Sequence, residues 1–259
     1  MNIEFNRIYN MNCLEGMKYI PDNSIDLLLT DPPYMISQKN KRINRKNMRT
    51  EAYRREMDIN LDFGEWDHFE SEQEYEEFTK KWMTLTYNKL KNGGWFMVFF
   101  DKNKICLLEK IAKELGITSK TIFVWAKTNP TPHFRRMNFV SATEFIWMGV
   151  KGNTHMKNYQ RQTEMYNYML YPNKSTYGET GHPTEKPIEI LKRIIKPTTV
   201  ENDVVLDPFM GSGSTAIASI QLNRRFIGFE INKEYYNMAM QRVSKAISQT
   251  KLLYEVIEK

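Results

Sequence analysis

The chain has little cysteine or histidine and no long apolar run. Its two cysteines, Cys13 and Cys106, show no paired spacing, so neither a disulfide framework nor a cysteine zinc site is supported. The four histidines are scattered without ligand spacing, which predicts no metal site: His68, His133, His155 and His182. Since no apolar run approaches membrane-spanning length and the N-terminus lacks a signal-like pattern, we expect a cytoplasmic protein.

The size and the pattern of the chain favour one α/β domain. It has 259 residues, of which 41% are hydrophobic, and this content suffices for one large core. Short apolar segments that predict buried strands alternate with amphipathic helical segments. Such alternation is typical of a mostly parallel sheet covered on both faces. We therefore expect residues 1–259 to form a single domain.

The most informative motif is Asp31-Pro32-Pro33-Tyr34. The preceding run, 24–30, is short, apolar and bounded by turn residues, so it predicts a buried strand that ends just before Asp31. Ligands bind at the carboxyl ends of strands in open α/β sheets, and the motif is therefore a candidate catalytic site. A strand-ending turn in which Asp31 caps and Tyr34 packs would use the same residues, so both interpretations stay open.

These four residues suit chemistry at the exocyclic amine of an aromatic base. Such an amine is a poor nucleophile because its lone pair is delocalised into the ring. The Asp31 carboxylate and the Pro32 carbonyl can each accept one N–H hydrogen bond and localise that lone pair. The two prolines restrict the backbone, so the acceptors are preorganised, and Tyr34 can stack on the base.

A second motif, 207–215, joins a predicted strand at 203–206 to a predicted helix. Its glycines, Gly211 and Gly213, allow positive φ and close approach of a cofactor to the helix N-terminus. The predicted strand 226–229 ends at Glu230, about twenty residues further on, where a ribose-hydroxyl acceptor is expected. The loop lacks the third glycine of the dinucleotide pattern, which disfavours a nicotinamide cofactor.

Together these motifs resemble the S-adenosylmethionine-dependent amino-methyltransferases of DNA, which methylate adenine N6 or cytosine N4. The catalytic motif precedes the cofactor loop, as in the β group of that family, many of whose members belong to restriction-modification systems. The likeness extends to further segments: 12–14, Trp66, the turn 91–94, 127–130 and 182–187. The resemblance implies a Rossmann-like methyltransferase fold with a mostly parallel seven-stranded sheet, helices on both faces, a basic loop and a small target-recognition insertion.

The resemblance also implies roles for individual residues. Asp31, Pro32, Pro33 and Tyr34 would be catalytic. Glu230 would take the ribose hydroxyls, and Thr184 and Lys186 are the choices for the methionine carboxylate. The implied cofactor contacts are Asn12, Cys13, Asp31, Thr184, Lys186, Asp207, Pro208, Phe209, Gly211, Ser212, Gly213, Ser214, Thr215 and Glu230. The family usually has Asp where Asn12 stands, and Asn12 is equally interpreted as the N-cap of a helix from Cys13 to Ile20.

The positive charge of the chain is concentrated in one segment. Residues 39–56 contain eight basic and two acidic side chains, an excess of +6 that equals the formal net charge of the whole chain. A position directly after the catalytic motif suits phosphate contact, although a solvated loop is the alternative. The predicted DNA contacts in this loop, 35–68, are Lys39, Lys41, Arg42, Arg45, Lys46 and Arg49.

Two further segments have several interpretations. The stretch 129–136 contains Phe134, Arg135 and Arg136, which would complete the base pocket and contact phosphates, unless it is a plain surface loop. The polar, tyrosine-rich stretch 151–181 is the candidate target-recognition segment, with a long solvated loop as the alternative. A segment this short predicts a brief recognition sequence.

The expected reaction is direct transfer of a methyl group from S-adenosylmethionine to N6 of a flipped adenine. No covalent intermediate is required, and the chain has no Pro-Cys pair of the kind used by C5-cytosine enzymes. Alternatives are N4-cytosine methylation, a non-catalytic DNA-binding specificity subunit, and methylation of RNA or of a protein amide. DNA is the expected partner; a homodimer and a separately encoded restriction endonuclease are further expectations from the resemblance.

Overall fold

The computed structural model describes residues 2–35, 69–130, 139–173 and 185–257. Its strands are β1 (Arg7–Tyr9), β2 (Ile25–Thr30), β3 (Leu90–Phe100), β4 (Ile117–Lys127), β5 (Thr143–Lys151), β6 (Tyr168–Tyr171), β7 (Val204–Asp207) and β8 (Arg225–Phe229). Its α-helices are α1 (Cys13–Gly16), α2 (Glu72–Lys89), α3 (Ile105–Leu115), α4 (Ile188–Thr198), α5 (Ser214–Gln221) and α6 (Lys233–Ile257). Short 3-10 helices follow at Met17–Tyr19 and Gln162–Glu164.

The strands form one sheet in the order β1-β8-β7-β2-β3-β5-β4-β6. The first five of these strands are parallel, and β6 also runs parallel to its neighbour β4. Only β5 is reversed, because it pairs antiparallel with both β3 and β4. The predicted mostly parallel α/β sheet is confirmed, with eight strands in the described residues where the resemblance implied seven.

The middle of the sheet is covered on both faces. Every residue of β2 and of β7 is buried. Successive strand residues point to opposite faces, so an unbroken buried run requires cover on each side. At one end of the sheet, α5 and α6 pack their apolar side chains onto β1 and β8, in a cluster that includes Ile8, Ile217, Phe226 and Val243.

One local prediction was confirmed in part, and one was wrong. The helix expected from Cys13 to Ile20 is α1, four residues long, followed by a 3-10 turn. The turn expected at 91–94 lies inside β3, which begins directly after α2. Gly93 there has a φ of +83°, and the register between β2 and β3 shifts between Ile25 and Leu27. Glycines occur both at irregular strand starts and in turns, so the sequence pattern does not distinguish the two structures.

Contacts divide the chain into two compact units, one formed by 33–78 and the other by 1–32 with 79–259. The single-domain organisation stays a prediction. In the described ranges, no group of acidic, histidine or cysteine side chains is arranged to hold a metal ion. No helix of the described chain combines the length and apolar character needed to cross a membrane.

Candidate active site

Four neighbouring strands place their following residues at one edge of the sheet. Because β1, β8, β7 and β2 are adjacent and parallel, their carboxyl ends meet at the same edge. Asp31 follows β2, Asp207 is the last residue of β7, and Glu230 follows β8. A buried hydrogen bond of 2.6 Å from the Thr30 hydroxyl to Asp207 Oδ1 ties the ends of β2 and β7 together. The two sequence motifs are therefore neighbours in space.

Asp31 is held by a lysine from a distant part of the sequence. Lys186 Nζ lies 2.5 Å from Asp31 Oδ2, and the two side chains are 11% and 22% exposed. Pro32, directly after Asp31, is buried. Pro33 and Tyr34 belong to the unit 33–78, where the Tyr75 hydroxyl donates to the Pro33 carbonyl at 3.0 Å.

The glycine loop turns between β7 and α5. Gly211 and Gly213 have φ values of +52° and +83°, so both use the left-handed conformation that glycine tolerates. A Cβ on Gly213 would lie 3.1 Å from the Cβ of Ala239 in α6, which leaves little room for a side chain. The Gly211 amide donates to Glu230 Oε2 at 2.8 Å, and this bond links the loop to the end of β8.

Burial affects the ionisation of the two acidic residues beside this loop, Asp207 and Glu230. Burial raises the pKa of Asp207 to about 6, although hydrogen bonds from two hydroxyls and a backbone amide act in the opposite direction. Burial also raises the pKa of Glu230, against hydrogen bonds from backbone amides. Both carboxylates hold the loop in shape, and each retains lone pairs for further donors.

The segment 185–187 joins the glycine loop to Asp31. Glu185 accepts from Arg242 Nη2 of α6 at 2.7 Å, and Arg242 Nη1 donates to the Ser212 carbonyl at 2.6 Å. The next residue, Lys186, makes the ion pair with Asp31. Pro187 then caps α4. Three consecutive residues thus connect the two sides of the site.

Asn12 and Cys13 lie after β1, at the same edge. The Asn12 side chain accepts from the Leu14 amide at 2.8 Å, so the N-cap interpretation is confirmed, and its contact with a cofactor stays a prediction. Burial raises the pKa of the Cys13 thiol to about 12. Since the thiolate is the reactive form, Cys13 is a packing residue rather than a nucleophile.

Some of the other predicted site residues lie at the glycine loop, and others lie outside the described residues. Phe209 packs edge-to-face on Trp82 of α2, with ring centroids 5.8 Å apart. Pro208, Ser214 and Thr215 lie in the loop and in the first turn of α5. Outside the described residues lie Thr184, Trp66 and all predicted DNA contacts: Lys39, Lys41, Arg42, Arg45, Lys46, Arg49, Phe134, Arg135 and Arg136.

The first part of the candidate recognition segment is anchored away from Asp31. Lys157 bridges Asp203 and Asp26, at 2.6 and 3.1 Å, which lie at the amino ends of β7 and β2. Asn158 donates to the carbonyl of Lys196 near the end of α4. The chain then returns along β6 to the edge that carries Asp31. A role in target recognition stays a prediction, and 174–181 lie outside the described residues.

Several contributors to the site carry no sequence signal of their own. Arg242 lies on an ordinary helix, Thr30 ends an apolar strand, and Glu144 lies near the start of β5. Glu144 Oε1 pairs with Lys127 at 2.7 Å, and its Oε2 lies 3.4 Å from Lys186. Only the sheet order brings these residues beside the motifs.

The fold and the site define a class: α/β proteins that bind a nucleotide-type cofactor over the carboxyl edge of a parallel sheet. A family model described as DNA methylase, covering N6 and N4 enzymes, matches residues 25–241. The type II methyltransferase M2.MboI of Moraxella bovis is 31% identical over 245 residues, 91% of this chain and 86% of that protein. M2.LlaDCHI of Lactococcus lactis subsp. cremoris is 30% identical over 88% of this chain and 86% of its own. The chain belongs to the N6/N4 DNA methylase family.

Solved structures show the same fold. M1.HpyAVI, crystallised with S-adenosylmethionine, is 27% identical with a TM-score of 0.67, over 92% of this chain and 98% of that one. The PvuII DNA methyltransferase, titled cytosine-N4-specific, has a TM-score of 0.70 over 96% of this chain and 93% of its own. At 19% identity, this second likeness concerns the fold alone.

Proposed function

We propose that this DNA methyltransferase moves a methyl group from S-adenosylmethionine to N6 of adenine. The observation that carries the proposal is the meeting of Asp31, Asp207 and Glu230 at the carboxyl ends of three adjacent strands. Asp31 thus accepts a hydrogen bond from the target amine, while Asp207 and Glu230 hold and line the cofactor loop. A fold that only bound DNA would not need this arrangement.

The methyl donor is S-adenosylmethionine, and the residues at the edge fit it. Gly211 and Gly213 allow the tight turn of the loop, and α5 directs its amino end towards the loop. Glu230, buried beside the loop, offers acceptors for ribose hydroxyls. Lys186 has three N–H donors, so it can meet a carboxylate in addition to Asp31. When bound, the donor supplies an electrophilic methyl group on a positively charged sulfur.

The chain itself prepares the nucleophile. Asp31 accepts one N–H of the target amine and the Pro32 carbonyl accepts the other, which localises the lone pair on nitrogen. Tyr34 stacks on the extruded base. As the N–C bond forms and the C–S bond breaks, positive charge moves from sulfur to nitrogen, and the carboxylate of Asp31 stabilises it. The nitrogen then passes one proton to the Asp31 carboxylate, which releases it to water, so no covalent intermediate with the protein is needed.

Adenine is the proposed base because Asp31 begins the tetrapeptide. Asp at this position resembles the adenine enzymes, whereas Ser resembles the cytosine-N4 enzymes. Both bases present the same conjugated amine, so cytosine N4 is the alternative within the family. M2.MboI and M2.LlaDCHI are type II methyltransferases, which favours a restriction-modification role with a separately encoded nuclease. The basic segment 39–56 is the proposed phosphate contact.

Mass spectrometry of the product identifies the base. The purified chain is incubated with S-adenosylmethionine and DNA from a methylation-free host, and the DNA is digested to nucleosides. We expect N6-methyladenine. Detection of N4-methylcytosine instead would identify cytosine as the target base. The absence of both modified nucleosides would contradict the proposed function.

A further inference from the structure

A row of alternating charges runs from the candidate catalytic residue along the carboxyl edge of the sheet. Lys186 Nζ lies 2.5 Å from Asp31 Oδ2 and 3.4 Å from Glu144 Oε2. Glu144 Oε1 lies 2.7 Å from Lys127 Nζ. The side chains of Lys186 and Glu144 are 11% and 29% exposed, so water screens their interaction only partly. Lys186 is therefore shared between two carboxylates.

The register of the sheet explains why Glu144 is at this edge. β5 is antiparallel to β3 and β4, so its first residues lie where those strands end. Phe145 pairs with Phe100, the last residue of β3, and Glu144 pairs with Trp125 near the end of β4. Glu144 thus reaches the carboxyl edge from the start of a reversed strand.

Lys186 opposes the chemistry that Asp31 is expected to perform. Its ammonium competes with the target amine for the Asp31 carboxylate, and it repels the positive charge that reaches the amine nitrogen during transfer. Glu144 counters the competition because it offers the ammonium a second acceptor, while the charge of Glu144 itself is balanced by Lys127 at 2.7 Å.

The charge states support this sharing. Burial lowers the pKa of Lys186, but Asp31 and Glu144 outweigh burial and raise it, so the ammonium is retained. Burial raises the pKa of Glu144, but Lys186 and Lys127 outweigh it and hold the pKa below its ordinary value. Glu144 is therefore ionised at neutral pH.

We propose that Glu144 is a positioning residue for methyl transfer: it draws Lys186 from Asp31 when the target amine binds. This inference rests on the proposed function. The ammonium moves from one carboxylate to a neighbour already 3.4 Å away, so the exchange needs only a side-chain rotation. Asp31 then accepts the amine while Glu144 keeps Lys186 paired.

Two substitutions separate the charge of Glu144 from its shape. Glu144→Gln keeps the shape and removes the charge, whereas Glu144→Asp keeps the charge and removes one methylene. The rate of methyl transfer is measured in single turnovers with saturating S-adenosylmethionine, and the affinity for S-adenosylmethionine is measured separately by calorimetry. Glu114→Gln, which removes an exposed carboxylate paired with Lys80 at 2.6 Å, is the matched control.

We expect the transfer rate to fall roughly tenfold or more in Glu144→Gln and about threefold or less in Glu144→Asp, with cofactor affinity nearly unchanged. The control should match the unmodified chain. A Gln variant that is as fast as the Asp variant, or a loss explained by weaker cofactor binding, would overturn the inference. Thermal melting shows whether each variant is folded. If Glu144→Gln is unfolded, Glu144→Asp is the test: a retained transfer rate supports the inference, and a lost transfer rate contradicts it. If the unmodified chain methylates no DNA, the proposed function fails instead.

Discussion

Asp207 gives the most quantitative prediction, because a buried carboxylate makes stability depend on pH. The residue is 3% exposed, and its side chain accepts from Thr30 and from the Phe209 amide. Asp207→Asn keeps the size and most of the hydrogen bonds but removes the ionisation. Comparing the two proteins at several pH values therefore isolates the ionisation of this one group.

The sign and the size follow from the pKa of Asp207. Burial raises that pKa from 3.8 to about 6, so the folded chain keeps a proton that the unfolded chain has lost. Stability from this group is fully present below pH 3.8 and is lost as the pH rises through about 6. The ionisation of Asp207 therefore lowers the free energy of unfolding by about 2 kcal/mol between about pH 4.5 and about pH 7.5.

Urea unfolding measures this difference directly. The free energy of unfolding of the unmodified chain minus that of Asp207→Asn should fall by about 2 kcal/mol from about pH 4.5 to about pH 7.5. Contributions of groups that do not interact with Asp207 cancel in the subtraction. A difference that stays constant within about 0.5 kcal/mol would refute the raised pKa and the burial that explains it.

Two further predictions concern the support of the site. Arg242→Met should lower the free energy of unfolding by about 3 kcal/mol, because it breaks an ion pair with Glu185, whose side chain is 4% exposed. Arg242→Met should also weaken cofactor binding, measured by calorimetry. The control Lys80→Met, at an exposed ion pair, should lower the free energy of unfolding by less than about 1 kcal/mol. Equal effects of the two substitutions would contradict the supporting role of Arg242. For the cysteines, a thiol reagent at neutral pH should label exposed Cys106 and leave buried Cys13 unmodified, and Cys13→Ala should keep methyl transfer. Loss of transfer in a folded Cys13→Ala protein would argue for a chemical role of the thiol.

The sequence predicted those parts of the site that lie beside strand ends. An apolar run followed by Asp31, and a second run followed by a glycine loop, are local patterns, and both strands formed where the patterns placed them. The α/β alternation indicated a parallel sheet, and parallel strands bring such ends to one edge. Glu230 was predicted by the same reasoning.

The remaining features depend on order and direction in the sheet, which local patterns do not encode. β6 has four residues among polar and aromatic neighbours, too few for a periodic signal. The pairing of Lys186 with Glu144 could not be predicted, because it depends on β5 being reversed between β3 and β4. Arg242 becomes informative only when α6 is seen beside the glycine loop.

The most direct test of the account is labelled methyl transfer to DNA by the unmodified chain and by Asp31→Ala, with cofactor affinity measured on the same preparations. We expect Asp31→Ala to bind S-adenosylmethionine measurably and to transfer no measurable label. Transfer by Asp31→Ala at a rate near that of the unmodified chain would contradict the assignment of Asp31 as the acceptor of the target amine.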